Sequence, residues 1–316
     1  MSKHNSPGKQ SLSELEGSRW DVAQKPKLLV TGASGFLGHA LCAAARRHWS
    51  VAAVYRRQRP RLPGITPIQA DLADPAALPE LIDRLQPRAA IHAAAAAQVG
   101  ACQADPLGTE TINVTVPARL AELCAAREID LVFTSTDLVF DGRCAPYDEN
   151  SPPAPFCVYS DQKGRAEAAV LAHHPRALVA RLPLLFGLAP NAQSNFGLRM
   201  LAAIRHNQPI ELFVDEFRTP VDTASAARGV LAFVGKVHGP LHLGGRTRLS
   251  RYDLGCRMAG ALGLAPTMLR PVSRAAVALP YGRAPDCSLD SRRAYGLGYD
   301  PTPLDAALRR MVTRAA

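Results

Sequence analysis

The feature that most restricts what this chain can fold into is Lys27-Leu-Leu-Val-Thr-Gly-Ala-Ser-Gly-Phe-Leu-Gly38. Leu28, Leu29 and Val30 form a short, unbroken apolar run, which predicts a strand buried on both faces. Gly32, Gly35 and Gly38 follow at three-residue spacing, and the Ala-rich stretch His39–His48 then reads as helix. Glycine at such positions permits a tight turn, close approach of backbone to a ligand, and close packing of helix on strand. The start of the helix aims unpaired N–H groups and a positive dipole end at the turn, where a pyrophosphate can sit. The order strand, glycine turn, helix therefore points to a nucleotide site.

The next 150 residues repeat that rhythm. Strands are expected at Ser50–Tyr55, Ile65–Ala70, Ala89–His92, Leu131–Thr134 and Ala177–Leu182. Between them lie helices at Pro75–Leu85, Asp105–Arg127 (with Asn113 in its middle) and Tyr159–His173. Alternation of this kind implies right-handed crossovers and a doubly wound parallel sheet of Rossmann type. After Gly187 the alternation is irregular. A helix at Pro220–Val234 and a strand at Gly239–Leu243 return to it, Ser250 and Asp253 open a capped helix, and Leu304–Val312 closes the chain. The expected organisation is a flexible extension at 1–25, a Rossmann domain at 26–188 with 220–245 returning to it, and a smaller C-terminal substrate-binding lobe at 189–219 and 246–316.

No apolar run is long enough to span a membrane, and the N-terminus lacks the core of a signal peptide. Seven scattered cysteines without a CxxC pair argue against a disulfide framework or a metal site and suggest a reduced cytoplasmic setting. The formal charge is +10, and 31 of the 37 basic residues are arginine. They are dispersed, so anionic small molecules explain the charge better than nucleic acid does. One basic cluster stands out. Val54-Tyr55-Arg56-Arg57 ends the second strand, and no carboxylate occurs from Ser50 to Ala70. An NAD-selective fold carries an acidic residue here for the ribose hydroxyls; two arginines suit a 2′-phosphate, hence NADPH with NADH second.

Two further stretches carry chemistry. Val158-Tyr-Ser-Asp-Gln-Lys163 places Tyr159 and Lys163 four apart, on one face of a helix. An ammonium beside a phenol stabilises the phenolate and makes the phenol a better proton donor. Phe133-Thr-Ser-Thr-Asp-Leu-Val-Phe140 puts hydroxyls at the C-terminal end of the fifth strand, at the mouth of the ligand crevice.

On TGASGFLG at 31–38, STDLVFDG at 135–142 and YSDQK at 159–163, the chain resembles the extended short-chain dehydrogenase/reductase family, in particular its dTDP-4-dehydrorhamnose reductase branch. Similar stretches include Ala93–Ala96, Arg181-Leu-Pro183 and Phe217-Arg-Thr-Pro-Val221. The resemblance covers about Lys27–Arg310 and implies reduction of a 4-keto-6-deoxy sugar nucleotide, with Thr136, Tyr159 and Lys163 as catalytic triad. It implies cofactor contacts from Gly32, Ser34, Gly35, Phe36, Leu37, Gly38, Arg56, Arg57, Asp71, Leu72, Ala93, Ala94, Ala95, Asn113 and Pro183, together with Tyr159 and Lys163. Substrate contacts fall to Asp137, Asn195 and Arg218, the last as diphosphate anchor with Arg199 or Arg205 as substitutes. The implied partners are the nucleotide sugar and a second copy of the chain, with no metal, nucleic acid or membrane.

Three departures bear on the substrate. Leu138 stands where these reductases have Tyr, residues 99–105 lack the acidic groups usual after the fourth strand, and the usual C-terminal tryptophan is missing. Related 4,6-dehydratases carry Asp-Glu after the threonine, whereas here it is Asp137-Leu138, and leucine cannot transfer a proton. The alternatives are an NAD-retaining sugar-nucleotide epimerase and a regulatory subunit similar to the methionine adenosyltransferase β-subunit, which binds NADP and acts through a partner protein.

Overall fold

In the computed structural model, which describes residues 25–187, 196–278 and 281–315, the apolar run at Leu28–Val30 lies at the centre of a parallel sheet. The strands are β1 (Lys27–Thr31), β2 (Ser50–Tyr55), β3 (Thr66–Gln69), β4 (Ala89–His92), β5 (Asp130–Thr136) and β6 (Leu178–Leu182). A seventh, Gly239–His242, completes the order Gly239–His242, β6, β5, β4, β1, β2, β3, and every pairing is parallel. This is the doubly wound α/β fold the alternation implied. The direction of winding reverses between β1 and β4, so their C-terminal ends open a crevice.

Side-chain alternation along β1 explains why it is apolar at every position. Leu28 and Val30 pack with Leu41 of α1 (Phe36–Ala45) and with Ala226 and Val230 of the helix Thr223–Phe233. Leu29 faces the other way, against Ile82, Leu120 and Val170 from α2 (Ala77–Leu85) and two later helices. All three are fully buried, each contributing about 1.5–3 kcal/mol by its transfer from water.

The helix expected at 105–127 is broken. Its place is taken by α3 (Val99–Ala104), α4 (Pro106–Glu110), a single π turn at Thr111–Thr115, and α5 (Val116–Ala125). Two prolines account for this. Pro106 starts α4 just after Asp105, whose side chain accepts from Gly108 N–H and caps it. Pro117, without an N–H, interrupts the ladder where the π turn ends. α1 begins at Phe36, three residues before the expected start, with Gly35 in an extended conformation as its cap. α6 (Val158–His173) matches expectation closely.

A separate cluster of Met200, Leu212, Leu254, Met258, Leu308 and Met311 forms the core of the C-terminal part. Ala294 and Tyr299, however, pack into the sheet-side cluster with Val230. The segment expected wholly in the lobe thus returns to the sheet. The N-terminal extension lies outside the described residues, apart from Lys25. Among the described residues no helix is long and apolar enough to cross a membrane.

Candidate active site

The glycine turn is shaped by contact with β4. Gly32 has φ +69°, and a Cβ there would meet the Ala93 carbonyl and the Ala94 nitrogen, both at 2.7 Å. A Cβ on Gly38 would collide with the Gly32 carbonyl, so α1 can start this close to the turn only with glycine there. Thr31 holds the other side of the junction. Its hydroxyl accepts from Ala93 and Ala94 N–H at 3.2 and 3.3 Å and lies 2.9 Å from His92 Nδ1.

The result is a cavity of about 380 Å³ over the ends of β1, β2 and β4. Gly32, Ser34 and Gly35 line one wall, Arg56 and Arg57 another, and Asp71, Leu72 and Ala93–Ala95 the rest. Ten of the expected cofactor residues therefore share one cavity. Val54, Tyr55, Gln58, Ala70, Ala96 and Ile112 also line it without having been assigned to the cofactor, each lying within two residues of one that was. Arg56 and Arg57 are exposed. Phe36 and Leu37 are half-buried and Gly38 and Pro183 buried outside the lining, where they support the turn and the end of β6.

Asn113 does not face the cavity. It is buried in the π turn, where its Oδ1 accepts from Ala96 N–H at 2.8 Å and its Nδ2 donates to Gln162 Oε1 at 2.7 Å. Gln162 in turn donates to Pro106 O at 2.8 Å. This clamp ties the end of β4 to α6 one residue before Lys163. Gln162 lay inside the YSDQK motif, and its amide was the signal overlooked.

Thr136 ends β5, and Tyr159 and Lys163 share one buried face of α6 beside it. Burial raises the pKa of the Tyr159 phenol, with the neighbouring Thr136 hydroxyl acting against it. Lys163 is 3% exposed; its Nζ donates to Thr134 O at 2.8 Å and lies 3.9 Å from the centre of the Phe133 ring. Burial lowers its pKa to about 7, opposed by Glu167 one turn further along. Glu167 is held by Arg181 of β6 at 2.8 Å, both side chains fully enclosed. His92 lies close by, pushed down to about 3 by burial and by Lys163, and is therefore neutral.

The substrate-side expectations fare differently. Asp137 is 3% exposed and Arg218 is 3% exposed. Arg218 Nε stands 3.4 Å from Asp137 Oδ2 and its Nη2 3.4 Å from Glu216 Oε1, while Nη1 donates to Phe217 O at 2.6 Å. A guanidinium so enclosed and committed is turned away from any open anion site, because its carboxylate and carbonyl partners already use its donors. Glu216 also receives Arg251 at 2.8 Å and the Arg283 guanidinium, and despite burial these cations bring its pKa down to about 2. Asn195 lies outside the described residues. Arg199 and Arg205 are exposed on the helix Phe196–Arg205. Leu138 is half-buried, and its N–H donates to Thr136 Oγ1 at 3.2 Å.

A family model described as RmlD substrate binding domain matches residues 26–316. Methionine adenosyltransferase 2 subunit beta from Rattus norvegicus is 29% identical over 281 residues, covering 86% of this chain and 82% of that protein. A probable low-salt glycan biosynthesis reductase from Haloferax volcanii is 29% identical over 273 residues, covering 84% and 90%. The crystal structure of a Bacillus anthracis dTDP-4-dehydrorhamnose reductase in complex with NADP superposes with a TM-score of 0.81. It is 20% identical and covers 92% of this chain and all of that one, a likeness that shows the shared fold.

Proposed function

The chain belongs to the RmlD substrate-binding-domain family, and on that premise we propose that it is an NADPH-dependent reductase of a 4-keto-6-deoxy sugar nucleotide, most nearly a dTDP-4-dehydrorhamnose reductase. The observation that carries this reading is the convergence of Thr136, Tyr159 and Lys163 at the end of β5, with the glycine-turn cavity over the neighbouring strand ends. The cavity suits the adenosine and pyrophosphate part of a dinucleotide, while Thr136, Tyr159 and Lys163 stand outside its lining. Its floor is backbone packed so closely that a Cβ at Gly32 would strike Ala93 and Ala94, and its outer wall carries two exposed arginines able to meet a 2′-phosphate.

A bound reduced nicotinamide would supply the hydride. The protein's own part is to place and polarise. Thr136 holds the substrate oxygen by hydrogen bond, and Tyr159 gives it a proton as the carbonyl carbon is reduced. Lys163, in its charged form, stabilises the resulting phenolate. Simple reduction asks nothing more of the site, whereas elimination of water needs a second acid–base residue where Leu138 stands.

A second reading, a regulatory subunit, is favoured by the likeness to methionine adenosyltransferase 2 subunit beta and by the enclosed Arg218. The discriminating experiment offers dTDP-, UDP- and GDP-linked 4-keto-6-deoxy sugars with NADPH and follows nicotinamide absorbance. Oxidation with one of them is the expected outcome. Tight NADPH binding without turnover of any would favour the regulatory reading.

A further inference from the structure

We propose that Gln162 is a positioning residue for the reaction, the link that fixes the start of α6, and with it Tyr159 and Lys163, against the wall of the cofactor cavity. The proposal rests on the reductase reading above. Gln162 touches neither substrate nor cofactor in this role; it acts through its neighbours.

Every link is a hydrogen bond between named atoms. Ala96 lines the cavity. Its N–H donates to Asn113 Oδ1 at 2.8 Å, and its carbonyl accepts from Asn113 Nδ2 at 3.2 Å, so one amide holds both sides of Ala96. Asn113 Nδ2 also donates to Gln162 Oε1 at 2.7 Å. Gln162 Nε2 donates to Pro106 O at 2.8 Å and to Thr109 Oγ1 at 3.1 Å, which brings in α4.

The direction of the chain follows from its first member. A backbone N–H needs an acceptor, so Asn113 must turn Oδ1 toward Ala96. Its Nδ2 is then left for Gln162 Oε1, and Gln162 Nε2 for the two oxygens of α4. Every amide proton is thereby placed. Both side chains are 1% exposed, so water cannot replace a broken link without cost.

This chain joins the two parts that have to meet in the reaction. Ala96 and Ile112 belong to the cavity wall, and Asn113 lies next to Ile112. Gln162 lies three residues after Tyr159 and one before Lys163. Pinning its amide fixes the rotation of α6 about its axis. Tyr159 carries its reacting oxygen at the far end of a ring, where a small rotation of the helix becomes a larger displacement. A reacting atom misplaced by about 1 Å can cost on the order of a hundredfold in rate.

The test uses Q162M, which keeps the length of the side chain and removes its amide, and N113L, which cuts the chain one link nearer the cavity. Q162M should lower kcat about ten- to a hundredfold and leave the KM for NADPH unchanged. N113L should lower kcat and also raise that KM, because it frees Ala96 in the cavity wall. The double variant should lose little beyond the larger single loss, since both changes break one chain.

Amide exchange supplies a readout that needs no substrate. Adenosine 2′-phosphate 5′-diphosphate matches the adenosine and pyrophosphate part of the cofactor and has no nicotinamide half to touch Tyr159 or Lys163. It should slow deuterium uptake over 158–164 in the wild type, and bind Q162M without doing so. Should Q162M fail to fold, N113L at saturating ligand carries the same exchange test. An unchanged kcat in Q162M, or a lower kcat matched by a higher KM for NADPH, overturns the positioning role and leaves the reductase reading standing. A wild type that turns over none of the 4-keto-6-deoxy sugar nucleotides overturns the reductase reading. The link is then decided by exchange, and protection that is absent in the wild type or persists in Q162M overturns it.

Discussion

The two halves of the site are built on opposite plans. The cofactor side is open, made of backbone and small side chains, and its cations Arg56 and Arg57 are exposed. The substrate side is closed, and its charges are spent on one another, with Glu216 meeting Arg218, Arg251 and Arg283 in a buried cluster that reaches Asp137. An open wall keeps its charge available for a ligand. A closed cluster converts charge into rigidity, because a buried ion is tolerated only with its partners in place. Mutations should therefore split, with ligand affinity changing on one side and stability on the other.

The largest effect is expected at the seam between them. Tyr159→Phe keeps the ring and its packing but removes the transferable proton, so turnover should fall about 10²–10⁴-fold. Equilibrium NADPH binding should be unchanged, which fluorescence titration can read. Near-normal turnover would remove Tyr159 from the mechanism and return weight to the regulatory reading.

Next comes the closed side. Arg218→Ala leaves Glu216 and Asp137 short of a buried counter-charge, and breaking such a pair costs about 3–5 kcal/mol. Denaturant unfolding should show that loss, with the NADPH affinity of the folded fraction intact. A folded, stable Arg218→Ala protein with a raised substrate KM would instead return Arg218 to the role of diphosphate anchor.

These contrasts also explain what could be read from the sequence. The cofactor side was legible because its determinants are local. Three glycines, one apolar strand and a pair of arginines each specify their own turn or strand end, and the sheet followed from their repetition. The helix at 105–127 was misread because its apolar pattern runs through Pro106 and Pro117, where the missing N–H decides the outcome. The closed side was legible only in naming Asp137 and Arg218 together, without the ion pair they form. Asp137, Glu216, Arg251 and Arg283 meet only through tertiary folding, and nothing at position 218 distinguishes an arginine facing a ligand from one facing Glu216.

On the open side the expected effect is smaller and of the other kind. Charge-assisted contacts contribute about 1.5–3 kcal/mol, so Arg56→Ala with Arg57→Ala should weaken NADPH about ten- to a hundredfold while sparing NADH. Unfolding midpoints should not move, since both side chains are exposed. Equal affinities of the wild type for the two cofactors at low salt would sink the assignment of these arginines to the 2′-phosphate.

The smallest effect tests whether the two plans meet at Lys163, which is buried like the closed side yet assigned to the cofactor. Its folded pKa is lowered by burial to about 7, below the 10.5 ordinary for lysine. Between those values the folded protein binds fewer protons than the unfolded chain, so this residue contributes stability that is present at high pH and lost as pH falls toward about 7. Ribose hydroxyls and a nearby pyrophosphate favour the charged ammonium, so cofactor binding should be accompanied by proton uptake. NADPH affinity should then tighten a few-fold as pH falls from about 8.5 to about 6.5, with a limit of tenfold per unit for a single linked proton. Calorimetric titration in buffers of different ionisation heat measures that proton directly, and Lys163→Met should abolish its uptake. Binding without proton uptake in the wild type would mean that Lys163 is already charged in the free protein, or that it does not face the cofactor.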